Sequence, residues 1–336
     1  NGSDLPSDVR DDRDPRPQPA MTIPQTTIPP PQAANRFEAR RLLVGPATCT
    51  VVAMLSMGSA SATPVGQPLA LPYTAIYGRD YGSSFHSLAS VAVDSTRQEI
   101  LVADAGRHEI AAYDTNGIHR GRFIHEVPDS TGRMVPGTPY ALAVDAQGRI
   151  YVADTRVSWV DVVNVRGKSV GRLELPAPDD DPLHSGAGAI AIDDDGTVFV
   201  ATRGDSGRVH VFDSDFRHVS TWGTPGTEPG QLSIITGIAV GPDGRVAVCC
   251  VSTKLAVQIY DRTGTYLTGF GVHDHGAANF SLPSGVAYTA DGRLWVLDGM
   301  RQMLSVFDGT GSLVGLMGGM GQDPGQFQYP CALASD

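Results

Sequence analysis

Short apolar runs of four or five residues recur along the chain and are separated by polar turn residues. Five runs resemble Ala-Ile-Ala-Ile-Asp (residues 189–193), and their last residues lie 51, 48, 48 and 48 positions apart. A second run follows each of them, as in Ile-Tyr-Val-Ala-Asp at residues 150–154, and these runs end 50, 48, 48 and 48 positions apart. Apolar runs of this length between turn residues predict β-strands. The chain therefore contains a repeat of roughly 48 residues with at least two strands per unit.

Turn residues and a further motif complete each unit. Asp-Gly pairs such as Asp243-Gly244 separate the first and second runs and are a strong short-range signal for a β-hairpin. A third run ends in an aromatic residue followed by Asp in four units and in Val163-Asn164 in the other. A fourth run ends near glycine, as at Trp222-Gly223. Four short antiparallel strands in a unit of this length predict the blade of a β-propeller.

The linkers between units carry a family resemblance. Residues 226–232 read GTEPGQL and residues 321–330 read GQDPGQFQYP, and both resemble the Gly-x-Gly-Pro-Gly-Gln-Phe-x-x-Pro lead-in of NHL repeats. The resemblance extends over about residues 71–336. It implies a β-propeller but says little about activity, because propellers have many functions.

Counting strands predicts the number of blades. Five units are complete, residues 331–336 supply a first strand of a sixth unit, and residues 71–78 resemble a fourth strand that ends in glycine. Propellers commonly close by joining N- and C-terminal strands in one blade, which protects sheet edges. We therefore expect an all-β, six-bladed β-propeller with five complete four-stranded blades and a split, incomplete sixth.

The N-terminal region has a different composition. Residues 1–35 are rich in Asp, Arg, Pro and Gln without periodicity, which predicts a disordered extension. Residues 36–62 contain three arginines, a short apolar stretch and Ala60-Ser61-Ala62, a pattern typical of a secretory signal peptide. An uncleaved membrane anchor formed by residues 42–58, or neither of these, are the alternatives. We expect an exported protein, periplasmic or extracellular, whose propeller comprises residues 63–336.

Charge excludes one class of function. The formal net charge is −11, whereas nonspecific binding of nucleic acid needs a basic surface that displaces phosphate counterions. We therefore expect no nucleic-acid partner, and membrane contact only if the N-terminal segment is not cleaved.

In related propellers, ligands bind at the central tunnel. The residues at the tunnel mouth are therefore candidates for ligand binding. In the alignment of units these positions contain no acid, histidine or arginine, and Tyr140 is the largest residue among them. Propeller lactonases and amidating lyases place metal ligands in the tunnel, and the resemblance to the lyases puts Ser284 where they have histidine. An enzymatic activity of that kind is therefore disfavoured. The aligned positions are Ala89, Tyr140, Gly188, Thr236, Ser284 and Cys331.

Basic residues and histidines are the remaining candidates. One base follows the second strand of each unit, and a ring of such charges could attract an anionic ligand or an acidic protein surface. Ordinary surface charge is the alternative, because Arg149, Arg245 and Arg293 lie on the turns at the opposite side. His273 and His275 could present two imidazoles to one metal ion, or belong to a solvated polar loop. The five bases are Arg107, Arg156, Arg203, Lys254 and Arg301.

Two functions from different classes follow. The first is an exported, non-catalytic propeller that binds a protein or a small anionic ligand on its loop face. The alternative is a metal-dependent lyase or hydrolase that uses the tunnel face. The sequence indicates no particular cofactor.

Overall fold

The computed structural model describes residues 85–176, 186–274, 276–321 and 325–335. It also describes the backbone of three short strands before them, β1 (Leu42–Val44), β2 (Thr50–Met54) and β3 (Ala75–Ile76). All of these residues belong to one compact unit, Glu38–Asp336. Within them, no helix is long and apolar enough to cross a membrane. The predicted extension 1–35 lies outside the described residues, and the signal segment 36–62 and its boundaries stay predictions.

Five four-stranded antiparallel sheets form the blades, each in the order of the sequence. Blade 1 contains β4 (Leu88–Asp94), β5 (Glu99–Asp104), β6 (Glu109–Asp114) and β7 (His119–Ile124). A two-stranded ribbon follows, β8 (Glu126–Pro128) and β9 (Met134–Pro136). Blade 2 contains β10 (Pro139–Val144), β11 (Ile150–Asp154), β12 (Trp159–Val163) and β13 (Ser169–Glu174). Blade 3 contains β14 (Ala187–Ile192), β15 (Val198–Thr202), β16 (Val209–Phe212) and β17 (His218–Trp222).

The remaining blades have the same design. Blade 4 contains β18 (Ile235–Val240), β19 (Val246–Cys250), β20 (Val257–Tyr260) and β21 (Tyr266–Phe270). Blade 5 contains β22 (Pro283–Tyr288), β23 (Leu294–Asp298), β24 (Met303–Phe307) and β25 (Leu313–Gly318), and the last strand is β26 (Pro330–Ser335). The prediction of an all-β propeller with five complete blades is thus confirmed.

Burial explains why the second run of each unit is continuously apolar. All five residues of β11, β15, β19 and β23 are buried, because neighbouring blades cover both faces of each sheet. The fourth strand lies at the outer edge, and four of the five residues of β17 are exposed. The gradient from buried to exposed strands is the expected result of radial packing.

The aromatic-Asp motif is explained by the turn after the third strand. Oδ1 of Asp261 accepts hydrogen bonds from the backbone N–H groups of Thr263 and Thr265, both at 2.9 Å. Asn164 accepts equivalent bonds from Arg166 and Lys168 at 2.9 and 3.1 Å. Such side-chain bonds to the backbone two and four residues ahead stabilise a tight turn. The motif therefore specifies turns.

The inner strands form a closed ring. The six strands β4, β10, β14, β18, β22 and β26 each contact the next, and β26 contacts β4. The strands approach closely: a Cβ atom added to Gly285 would lie 3.2 Å from the backbone nitrogen of Leu333 on β26.

The sheet that contains β26 differs from the five blades. Its strand order is β26-β2-β1-β3, and β26 pairs with β2, and β1 with β3, in parallel rather than antiparallel fashion. A sixth blade of the repeating kind is therefore not shown, and it stays a prediction.

Candidate functional site

The linkers into the first strands and the loops after the second strands lie at one end of the blades, here called the loop end. In each of the five blades, the backbone N–H of the residue after the second strand donates to the carbonyl of the residue before the first strand. The repeated bond shows that the predicted contact segments share one face. The donor–acceptor pairs are Ala105–Ser87, Thr155–Thr138, Arg203–Gly186, Val251–Ile234 and Gly299–Leu282, at 2.7–3.3 Å.

A buried aspartate at the end of the second strand reinforces this connection. The carboxylate of Asp104 accepts from four backbone N–H groups, those of His86, Ser87, Gly106 and Arg107, at 2.7–3.2 Å. Asp154 and Asp298 bind linker and loop amides in the same way. Thr202 and Cys250 occupy this position in blades 3 and 4. The Val-Ala-Asp motif therefore attaches the linker to its blade.

Among the tunnel-mouth positions, Tyr140 stands out because 43% of its surface is exposed. The hydroxyl of Thr236 donates to the carbonyl of Pro283, and that of Ser284 donates to the carbonyl of Pro330 at 3.4 Å. Each acceptor is the first residue of the next inner strand. Thr236 and Ser284 therefore connect neighbouring strands of the inner ring, and Tyr140 is available for contact.

The five predicted bases all lie in loops at the loop end, but their side chains have different partners. Lys254 Nζ lies 2.7 Å from Glu228, and Arg107 Nε lies 3.7 Å from Asp104. The other three guanidinium groups donate to backbone carbonyls and have no carboxylate within ion-pair distance among the described residues. These bonds are Arg156 to Pro136 at 3.1 Å, Arg203 to Thr155 at 3.5 Å and Arg301 to Gly276 at 2.9 Å.

Three arginines in the turns between the first and second strands, at the opposite end of the blades, are paired with carboxylates. Nε of Arg149 lies 2.5 Å from a carboxylate oxygen of Asp145, and Arg245 and Arg293 form the same kind of pair with the acids of their own turns at 3.1 and 3.3 Å. These three arginines therefore differ from the three loop-end arginines in having carboxylate partners. Arg156, Arg203 and Arg301 have no ion pair of this kind within the part of the chain that the structure describes.

Large apolar side chains are exposed at the loop end as well. Met300 follows the second strand of blade 5 and is 70% exposed, and Tyr329, directly before β26, is 61% exposed. Met320, in the linker before β26, is 73% exposed. Exposed aromatic and methionine side chains beside arginine have the composition typical of protein interfaces.

The predicted two-histidine metal site is only partly within the described residues. His273 is exposed on the loop after β21, and His275 lies outside the described residues. Asp274 Oδ1 accepts from the backbone of Gly276 and from the side chain of Asn279, both at 2.6 Å. No group of three or more His, Cys, Asp or Glu side chains in the described parts of the chain is arranged to hold a metal ion.

A buried charged cluster was missed by sequence reasoning. His125, which is 3% exposed, lies between two carboxylates: Nδ1 is 2.9 Å from Asp154 and Nε2 is 3.2 Å from Asp161. Burial alone would lower the pKa of His125, but the hydrogen bonds to Asp154 and Asp161 outweigh it and raise the pKa to about 9. Arg172 approaches Asp161 from the other side at 3.5 Å. The imidazolium is therefore held in place on both nitrogens.

This cluster anchors the β8–β9 ribbon, which the sequence pattern also missed. The ribbon begins directly after His125, and Val127 is fully buried beneath it. At the same end, where Glu126 pairs with Pro136, His108 Nδ1 hydrogen-bonds to the carbonyl of Gly137, and Arg156 donates to the carbonyl of Pro136. The ribbon is thus a fixed part of the loop end beside Tyr140.

The adjacent thiols of blade 4 are both free and buried. Burial raises the pKa of Cys250 to about 11 and raises that of Cys249 as well. A thiol in this state is a poor nucleophile at neutral pH. The cysteine at the usual Asp position is therefore a structural residue.

Comparison with known proteins identifies the class of fold. No family model matches the chain, and no curated protein sequence matches it. Solved structures with a similar fold are β-propellers. A gluconolactonase from Xanthomonas campestris shares 15% identity over 74% of this chain and 80% of its own, with a TM-score of 0.52.

Two lyases have the same fold. An inactive variant of virginiamycin B lyase from Staphylococcus aureus, bound to quinupristin, shares 14% identity over 67% of this chain and 68% of its own, with a TM-score of 0.50. A streptogramin B lyase shares 17% identity over 68% and 67%, with a TM-score of 0.50. At these identities the similarity shows a β-propeller fold only. The function must be argued from the residues of the site.

Proposed function

We propose that this chain is an exported, non-catalytic propeller of the NHL-repeat kind that binds an acidic segment of a protein partner at its loop end. The observation that carries the proposal is the contrast between three arginines after the second strands and three arginines in the turns between the first and second strands. Arg156, Arg203 and Arg301 have no carboxylate partner among the described residues, whereas their counterparts on the opposite turns are paired. These three guanidinium groups can therefore form charge-assisted hydrogen bonds with a carboxylate from outside the chain.

The neighbouring side chains favour a protein as the partner. Tyr140, Met300 and Tyr329 are exposed on the same end, and tyrosine and arginine are the residues that most often dominate binding energy at interfaces. The arginines are also held by backbone carbonyls, so they lose less conformational freedom on binding. A small anionic ligand would use the same guanidinium groups, and the experiment below distinguishes it.

Export rests on the sequence. The basic, apolar and small-residue pattern of residues 36–62 supports a secretory signal, and the formal charge of −11 suits a soluble protein without a nucleic-acid partner.

A metal-dependent lyase or hydrolase is the second candidate. Among the described residues, the histidine-containing loop around His273 favours it, whereas Thr236 and Ser284 at the tunnel mouth connect strands. Elemental analysis of the full chain after exhaustive dialysis tests this candidate. One zinc or calcium per chain, lost in His273→Ala, would support it.

The binding proposal is tested with poly-L-glutamate as the acidic probe. Arg156→Gln, Arg203→Gln and Arg301→Gln are combined in one variant. The control combines the same substitution at the three opposite-end arginines. We expect saturable, salt-dependent binding that falls at least about tenfold in the first variant, since charge-assisted hydrogen bonds contribute about 1.5–3 kcal/mol each.

Equal loss in both variants would show a nonspecific charge effect and contradict the proposal. Equal affinity for free glutamate and for the polymer would identify a small anionic ligand instead.

A further inference from the structure

A groove between blades 1 and 2 is separate from the loop-end site. It has a volume of about 240 Å³, whereas an apolar cavity of roughly 150 Å³ is sufficient to bind benzene. Two turns at the end opposite the loop end contribute to it, one before β5 and one after β12. Its apolar lining consists of Leu101, Ile110, Ala112, Phe123, Ile150 and Val165.

The groove lies over a glycine in the fourth strand of blade 1. Gly121 pairs with the third strand beside a β-bulge, and Gly171 has the same register in blade 2. A Cβ atom added to Gly171 would lie 2.3 Å from the ring of Phe216 in blade 3. A Cβ atom added to Gly121 would have no heavy atom within 4 Å other than those of its chain neighbours. The groove over Gly121 is therefore open, whereas the equivalent groove over Gly171 contains an aromatic ring.

The turn after the third strand explains this difference. In blade 3, Phe216 occupies a turn position with a φ of 69°. Its ring lies 6.2 Å from that of Tyr151 in an edge-on arrangement and 4.8 Å from Cζ of Arg149. Blade 2 has glycine at this turn position, so no side chain extends from it over Gly121. The residues at this position in the other blades are Gly117, Gly167, Gly264 and Gly311.

We propose that the groove between blades 1 and 2 binds a small molecule with a single aromatic ring, which lies over Gly121 as the ring of Phe216 lies over Gly171. Because the two glycines have the same register, the ring of Phe216 indicates the size and shape of the group that fits. The site is independent of the protein-binding function proposed for the loop end.

Apolar side chains of blade 1 provide the contacts for such a ring. Leu101 occupies the strand position at which blade 2 has Tyr151, so it can pack against a ligand as Tyr151 packs against Phe216. Phe123 is half-buried and packs against the core between blades 1 and 2. Its ring is therefore held in place, and aromatic rings attract one another in edge-to-face or offset arrangements.

An arginine at the groove adds a further contact. Arg97 lines the groove, and its Nη1 donates to Asp94 at 2.6 Å and to the carbonyl of Gly148 at 3.2 Å. These bonds lie in the plane of the guanidinium group. The face of the group can therefore pack on an aromatic ring while the ion pair stays intact.

The test uses p-cresol as the probe, because its hydroxyl group makes it soluble, and 4-methylcyclohexanol as its non-aromatic analogue. Binding to the full chain is measured by isothermal titration calorimetry. We expect p-cresol to bind saturably, with one molecule per chain. It should bind at least about threefold more tightly than the analogue, since contacts with aromatic and guanidinium groups add to the burial of apolar area.

Two variants locate the site. Gly121→Val should weaken binding at least about tenfold, because the valine side chain fills the space that the ring needs. Ser220→Val is the matched control, since Ser220 is exposed and has the same register in blade 3. Val165→Glu, at a position that is 47% exposed, places a charge in the apolar lining and should weaken binding at least about threefold.

Absence of saturable p-cresol binding would overturn the proposal. It would also be overturned if 4-methylcyclohexanol bound as tightly as p-cresol, if a folded Gly121→Val variant bound as the wild type does, or if Ser220→Val weakened binding as much as Val165→Glu. The binding of poly-L-glutamate to the loop end is measured separately, so failure of one proposal is distinguishable from failure of the other.

Discussion

The buried His125 cluster makes a quantitative prediction about stability and pH. In the folded chain, hydrogen bonds to Asp154 and Asp161 outweigh burial, which alone would lower the pKa of His125, and raise it from an ordinary value of 6.5 to about 9. Such a change in pKa corresponds to a stabilisation of about 3 kcal/mol. Because His125 is only 3% exposed, solvent screens these ion pairs little.

The direction of the effect follows from linkage. A group whose pKa is raised by folding stabilises the protein fully at pH values below its unfolded-state pKa. For His125 this stabilisation is present below pH 6.5 and is lost as the pH rises through about 9. The free energy of unfolding of the wild type should therefore fall by about 3 kcal/mol over this interval through this residue.

Urea unfolding followed by tryptophan fluorescence measures this effect. Wild type, His125→Gln and the control His273→Gln, which changes an exposed histidine, are compared at pH 6.5 and 9.5. Wild type and control should lose about 3 kcal/mol more between these pH values than His125→Gln does. Parallel losses in all three proteins would refute the assignment of an imidazolium between two carboxylates.

Three other predictions concern a turn glycine, a buried aspartate and the two adjacent cysteines. Gly264→Ala should lower the free energy of unfolding by about 2 kcal/mol or more in urea titrations, because Gly264 has φ +87° and an added Cβ would lie 2.2 Å from the ring of Trp222. Asp298→Asn should cost about 1–3 kcal/mol by the same assay, since the amide cannot accept all four backbone N–H bonds. Cys249 and Cys250 should resist iodoacetamide at pH 8 until the chain is unfolded, as followed by mass spectrometry, because both are buried and free.

The strands could be predicted because a strand that is buried on both faces of its blade has a continuously apolar sequence. Every residue of Ile150–Asp154 is buried, so the run is continuously apolar, and the 48-residue spacing repeats it. The turns could also be predicted from the sequence. Asp261 occupies a position that requires a side chain that accepts hydrogen bonds, and Gly264 occupies one that requires a positive φ. The ribbon β8–β9 was missed because its strands have three residues each and prolines at their ends.

The candidate site was less predictable because its chemistry depends on contacts between distant residues. The sequence places Arg203 and Arg245 at opposite ends of a blade but does not indicate their partners. The structure shows that Arg203 donates to a backbone carbonyl and that Arg245 pairs with a carboxylate. His125, Asp154 and Asp161 come from a linker and two different strands. Asp161, a charged residue in the middle of the apolar strand Trp159–Val163, was the one signal that could have indicated a buried charged cluster.

The binding surface at the loop end can be tested by a hydrogen–deuterium exchange map of the full chain with and without poly-L-glutamate. We predict that the polymer protects the loops after the second strands, at residues 155–158, 203–208 and 299–302, and leaves exchange in the opposite turns around Arg149, Arg245 and Arg293 unchanged. Protection confined to those opposite turns, or no protection anywhere at saturating polymer, would contradict the conclusion that the loop end is the binding surface.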